Sequence, residues 1–303
     1  MTAAAPAPFV RRTPIQERLI EAFLFLSAVV GVLTTIGIVA VLAFEAVEFF
    51  RIIPPLDFLT GTVWSASIKP FRFGVLPLVT GTLLVAGLAL IIAIPLGLLS
   101  GIYLAEYASP RVRTTLKPIL ELIAGIPTVV LGYFAINFIS PVLLKTLVPG
   151  IGGFSVLAGG IVVGILVTPL IATLSEDAMR AVPRSLREGA VAMGATRFEV
   201  VRSVVVPAAL SGIMASIILA MSRAVGETMA VVLAVGANPQ LTLDVRESVQ
   251  TMTAFIVQIS LGDTPAGSLQ FKALFAVGAT LFLITLALNL LSDRVVARFR
   301  NHY

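Results

Sequence analysis

The chain has 303 residues, 58% of them hydrophobic and 12% charged, with a mean hydropathy of +1.03. Soluble domains carry about 25% charged residues, so this composition excludes one and specifies an integral membrane protein. The net charge of +5 comes with no basic-aromatic face for nucleic acid, and zero Cys with a lone His302 excludes thiolate or imidazole metal sites and a histidine base.

Residues 1–18, Ala/Pro-rich and then basic, read as a disordered cytoplasmic tail, and 19–303 as one transmembrane domain. The apolar run 19–44 is too long for a signal-peptide core and reads as an uncleaved first span. Residues 45–72 are mixed in charge and read as an external loop, with Trp64 as an interfacial anchor rather than a partner contact. A second span covers about 75–103, with a kink expected at Pro95 because proline lacks the donor for the preceding turn. Residues 105–118 read as a short internal loop closed by Pro118. The third span, 119–139, is interrupted by GIPTVV at 125–130, which either borders a cavity or is an ordinary kink.

A Pro/Gly-rich link over 140–153 leads to the fourth span at 154–174. The stretch 175–205 is a charged cytoplasmic loop whose part from Pro183 to Arg202 reads as a helical hairpin in water. The fifth span, 206–235, carries Arg223 and Glu227, whose spacing puts them on one face of a helix. A charge at mid-bilayer costs from about 3 to more than 10 kcal/mol, so such residues line a cavity or face a partner. Arg223 can hold an oxyanion by two parallel hydrogen bonds with Glu227 as its resting counter-ion; the bland alternative is a static pair that fixes helix packing. Residues 237–272 are polar, with an amphipathic piece at 245–259 that is either an external helix or partly inserted. The sixth span is 273–291.

Fourteen Lys and Arg fall in the tails and the two loops on their side, against six in the opposite loops. By the positive-inside rule both termini and the 175–205 loop face the cytoplasm. The chain contains no GxxxxGK[ST], HExxH or GxSxG, so it is no enzyme and any ATPase is a separate subunit.

EGAVAMG at Glu188–Gly194, followed thirteen residues later by Pro207 with Val204 and Val206 ahead of it, resembles the EAA loop of ABC-importer permeases. It departs once, with Gly189 in place of the first Ala. Small residues at Gly189, Ala190, Ala192 and Gly194 let a partner surface come close, and Arg184, Arg187, Arg197 and Arg202 can pair with its acidic groups; a merely solvated basic loop is the alternative. A wider resemblance, carried by FRFGVLPLVTGTLLVAGLALIIAIPLGLLSGIYLAEYAS (71–109), LELIAGIPTVVLGYF (120–134) and SRAVGETMAV (222–231), is to PstC-type permeases of bacterial phosphate importers.

That resemblance implies an all-α polytopic fold with six transmembrane helices of the ABC-importer permease type, in the bacterial plasma (inner) membrane, importing inorganic phosphate without a cofactor. The implied partners are a second, PstA-like permease, a cytoplasmic ATPase dimer docked on Glu188–Gly194 and an external phosphate-binding protein. Arg223 and Glu227 are implied in the phosphate path, where Ser222 and Thr228 can add hydroxyl donors or simply pack. The competing expectations are a permease for molybdate or sulfate, since one Arg does not define an anion's shape, and a membrane protein with no transport role.

Overall fold

The computed structural model describes residues 15–66 and 68–298. It is mostly helical, with one short hairpin and several irregular connections. The first helix, α1 (Ile15–Phe50), is followed by α2 (Pro55–Thr60) and the antiparallel pair β1 (Trp64–Ser65) and β2 (Arg72–Phe73). Helix α3 (Leu76–Ile102) ends in a π-turn at Tyr103–Tyr107, and α4 (Pro110–Ala124) leads to α5 (Thr128–Phe134), a π-segment at Ala135–Leu144 and α6 (Lys145–Leu147). After α7 (Val156–Arg180) come α8 (Arg184–Ala192) and α9 (Arg197–Val200), with a π-turn at Val201–Val205. Then follow α10 (Val206–Ala208), α11 (Leu210–Val225), α12 (Met229–Val235), α13 (Met252–Leu261) and α14 (Leu269–Arg298).

Among the described residues five helical stretches are long and apolar enough to cross a bilayer: Glu17–Phe50, Leu76–Tyr107, Thr128–Leu147, Val156–Arg180 and Leu269–Ser292. Arg197–Ala208 and Leu210–Val225, bent by 69° at their junction, bring the number to six if the pair is counted as one span. The most enclosed of these is α7, which packs on α3, α4, α11 and α12, while α1 leans mainly on α14 and presents an apolar surface outward. Without water to drive apolar burial, spans associate by close packing of small residues. The α3–α7 seam shows this. Ala86, Ala89, Ala93, Gly97 and Gly101 of α3 are all buried, and a Cβ on Gly101 would stand 2.8 Å from the Ala172 carbonyl oxygen.

The expected 1–18 tail is outside the described residues up to position 14, and residues 15–18 already belong to α1. Helix α3 runs through Pro95 as one element. The expected loop at 105–118 is instead a π-turn and most of α4, with Pro118 inside the helix. Pro118 and Thr114, whose carbonyl it leaves unpaired, are both exposed, so the helix tolerates the missing bond. The third crossing therefore shifts to 128–147 and takes in part of the expected 140–153 link, including Pro141. Trp64 is no interfacial anchor. It is only 3% exposed and sits edge-on to Phe255, 4.8 Å between ring centres, in an aromatic cluster with Phe58 and Phe73.

The 245–259 piece is helical only from Met252. Before it the chain is irregular because its carbonyls serve another helix: Val245 and Glu247 accept from Leu157 and Val156, two of the amides left free at the start of α7. Val249, Gln250 and Thr251 are buried beside α3, and Met252 donates to the Thr82 hydroxyl at 3.0 Å. The segment is thus inserted into the body of the protein.

The α3–α7 seam sets a direct test. Gly101→Val should destabilise the protein by about 1–3 kcal/mol through overpacking. Gly87→Ala, at a position with nothing within 4 Å, should be neutral or slightly stabilising. Thermal unfolding in detergent reads both.

Candidate functional site

Arg223 lies in the last turn of α11, where its charge complements the helix dipole. Gly226 caps that helix, so Glu227 falls in the break before α12 and not on the face expected from its spacing. Its side chain accepts from the Ala230 amide at 3.3 Å, one of the free donors at the start of α12, and its carbonyl accepts from the Thr253 hydroxyl at 2.9 Å. No ion pair joins Arg223 to Glu227 among the described residues, although both belong to the motif. Thr228 Oγ1 donates to the Gly226 carbonyl within the break, and Ser222 Oγ donates to Asn289 Oδ1 of α14 at 2.5 Å. Of these residues, Arg223 lines a cavity.

That cavity, about 120 Å³, is walled by Glu121 and Ala124 of α4 and by Leu166, Pro169, Leu170 and Thr173 of α7. Ala124, the last residue of α4, adjoins the Gly125–Pro127 break between α4 and α5. A second break, Gly226–Thr228, stands at the other end of Arg223. The helices that follow the two breaks, α5 and α12, touch so closely that a Cβ on Gly132 would be 2.7 Å from Leu233 Cβ. The two broken helices therefore pack directly on each other, a backbone arrangement tolerated at membrane depth only where protein or a water-filled space supplies partners.

Helix α8 and the turn after it form the second region. Glu188 and Gly189 are exposed on α8, Ala190 is half-buried, and Gly194 makes the turn at φ +86°, a conformation that favours glycine. Arg187 faces inward: its Nη2 donates to Glu106 Oε1 at 3.0 Å and to the Met179 carbonyl at 2.7 Å. Arg197 lies across the Tyr107 ring, 5.1 Å from its centre, and donates to the Glu106 carbonyl. Both therefore hold the hairpin to the α3 π-turn. The outward surface is more apolar than its sequence suggests, with Met193 88%, Phe198 62% and Val191 59% exposed. A capping box starts α9, with Glu199 accepting from the Thr196 amide and hydroxyl, and these bonds hold the Glu199 carboxyl below its usual range.

Sequence reasoning missed a third group. Glu176, 0% exposed near the end of α7, meets Arg113 Nε at 2.5 Å and Lys117 Nζ at 3.0 Å, the latter off the hydrogen-bond direction. Lys117 also donates to Asp177 at 2.8 Å. Burial opposes the charge on Lys117, but its bonds to Asp177 and Glu176 outweigh burial and raise its pKa. Arg113, Lys117 and Glu121 recur every four residues and so lie along one face of α4. That spacing was the available signal, hidden by reading Pro118 as a stop.

Crossing helices, a cavity at paired helix breaks and an exposed helical hairpin at the end of the crossing bundle define a membrane permease subunit. The chain belongs to the binding-protein-dependent transport system inner membrane component family, whose profile matches residues 93–301. It is 34% identical over 273 residues to the probable ABC transporter permease protein YqgH of Bacillus subtilis, covering 88% of each chain. It is also 34% identical over 246 residues to the phosphate transport system permease protein PstC 1 of Mycobacterium tuberculosis, covering 75% of this chain and 73% of that one. A bacterial ABC transporter for import of the acidic polysaccharide alginate has the same fold, with a TM-score of 0.67 at 15% identity over 94% of this chain and 97% of that one.

Two outcomes are expected at the hairpin. Gly194→Ala should raise amide exchange over residues 193–198, since leaving glycine at positive φ costs about 1–2 kcal/mol, whereas Gly189→Ala, in open space, should leave exchange unchanged. Because Glu199 is lowered, its cap is fully in place above the unfolded carboxyl value of about 4.3 and is lost as pH falls through the lower folded value. Exchange protection at the start of α9 should therefore persist at mildly acidic pH and fall on further acidification.

Proposed function

We propose that this chain is the transmembrane permease subunit of an ABC importer that carries inorganic phosphate into the cell, with ATP hydrolysed by a separate subunit. The observation that carries the proposal is the Arg223 guanidinium, which has no ion-pair partner among the described residues and opens on a cavity walled by α4 and α7. A guanidinium there can give a phosphate two parallel charge-assisted hydrogen bonds. The names of relatives such as PstC 1 of Mycobacterium tuberculosis support phosphate over molybdate or sulfate.

In this reading a second, PstA-like permease covers the open side of the Arg223 cavity, and its charges complement a dianion. An external phosphate-binding protein supplies the substrate, so the path needs little affinity of its own. The ATPase dimer seats α8 and the Gly194 turn through Glu188, the close approach allowed by Gly189, and the apolar Val191, Met193 and Phe198. Arg187 and Arg197 hold this surface in place from within. The positive-inside bias supports both termini and α8 lying on the cytoplasmic side of a bacterial plasma membrane.

Glu227, which accepts from the Ala230 amide in the first turn of α12, keeps the break beside Arg223 in shape rather than pairing with the guanidinium at rest. Ser222 and Thr228 act likewise on the helices they tie.

Arg223→Gln should lower phosphate uptake about a hundredfold while complex assembly and ATP hydrolysis persist. Near-normal uptake would remove Arg223 from the path, and uptake blocked equally well by molybdate or sulfate would reassign the anion. Glu188→Ala should leave the permease folded but weaken ATPase recruitment, read by co-purification; recruitment at wild-type strength would move the docking surface elsewhere.

A further inference from the structure

The last turns of α7 contact three other parts of the molecule within five residues. Ser175 Oγ lies 2.9 Å from Ser216 Oγ of α11, seven residues ahead of Arg223. Glu176 holds Arg113 and Lys117 of α4. The Met179 carbonyl accepts from Arg187 of α8, whose same Nη2 reaches Glu106 at the end of α3. From Lys117 the α4 helix runs on to Glu121 and Ala124, which wall the Arg223 cavity.

We propose that Glu176 is a positioning residue for transport: through Arg113 and Lys117 it makes α4, and with it the wall of the Arg223 cavity, follow displacements of α8. The inference rests on the reading of α8 as the ATPase contact and of Arg223 as a station for the anion. Its physical basis is that Glu176 has no exposure to water, so separating it from its two cations strands a carboxylate in a medium that cannot solvate it. When α8 pulls the end of α7 through Met179, α4 is therefore carried along with Glu176. Asp177, 59% exposed, imposes no such demand, because water replaces Lys117 when that contact opens. Helix α4 then acts as a lever from Arg113 to Ala124, eleven residues or about 16 Å long, that delivers the movement to the cavity.

Contact alone does not establish coupling, so the test must read coupling. Glu176→Gln keeps the side-chain volume and removes the charge, while Arg113 and Lys117, both partly exposed, remain solvated. In the whole transporter reconstituted in vesicles, this variant should assemble and hydrolyse ATP at the wild-type rate but carry about tenfold less phosphate per ATP. Glu176→Asp, which restores the charge, should recover part of the loss. A merely structural role would lower assembly and hydrolysis together and leave phosphate per ATP unchanged, and an unchanged ratio overturns the proposal.

Should Glu176→Gln fail to assemble, the otherwise unaltered complex decides the matter. The chain contains no cysteine, so Ala124→Cys gives a single label site on the cavity wall. Maleimide labelling of Ala124→Cys should differ between the nucleotide-free and ATP-bound complexes, and equal labelling overturns the proposal. Arg223→Gln in the same vesicles separates the two levels: if it transports normally the underlying reading fails, whereas if only the Glu176 and Ala124 results fail that reading stands.

Discussion

A charge removed from water must find an opposite charge or a set of dipoles inside the protein, and the fold is arranged around meeting that demand at the end of α7. Glu176 is fully buried there, and two cations from α4 neutralise it. Such a cluster adds little net stability over an apolar replacement, since desolvation offsets most of the Coulomb attraction. What it gives is geometric definition. Breaking one partner away is costly, so α4 has one favoured seating against α7.

The same demand shapes the backbone. Where α4 gives way to α5 and α11 to α12, amides at the new helix starts lose their internal partners. Glu227 meets one of these at α12 through Ala230, and the Pro127 N-cap leads directly into α5. At the far end, the irregular stretch before α13 lends its carbonyls to the start of α7. Broken helices at membrane depth thus persist because neighbouring segments satisfy them, and the space left beside the breaks is where Arg223 points.

The crossing helices were legible in the sequence because a bilayer fixes how long an apolar run must be. The second and fourth spans begin within two residues of the runs that predict them, at Leu76 and Val156. The third was displaced because a proline at 118 is tolerated wherever its helix face meets solvent, a condition that sequence does not display. Trp64 was misread for a related reason: whether an aromatic side chain anchors at a membrane surface or packs with others depends on what folds back onto it, here Phe255 from nearly two hundred residues later. At the site, the identity of Arg223 was readable but its neighbours were not. Four-residue spacing to Glu227 counts as shared face only if the helix continues, and Gly226 ends it.

The cations around α8 show how far charge alone misleads about a partner. Counted in sequence, Arg184, Arg187, Arg197 and Arg202 form a basic surface suited to acidic groups on another protein. In the folded chain Arg187 and Arg197 are spent on Glu106, Tyr107 and the Met179 carbonyl, and the outward residues include Val191, Met193 and Phe198. Exposed apolar side chains beside a glycine turn favour recognition by shape and burial, which salt does not screen, over recognition by ion pairing, which is screened within about 8–10 Å. A partner gripping α8 therefore grips a surface whose arginines already bind it to α3 and α7, so a pull on that surface is passed inward rather than absorbed at the contact.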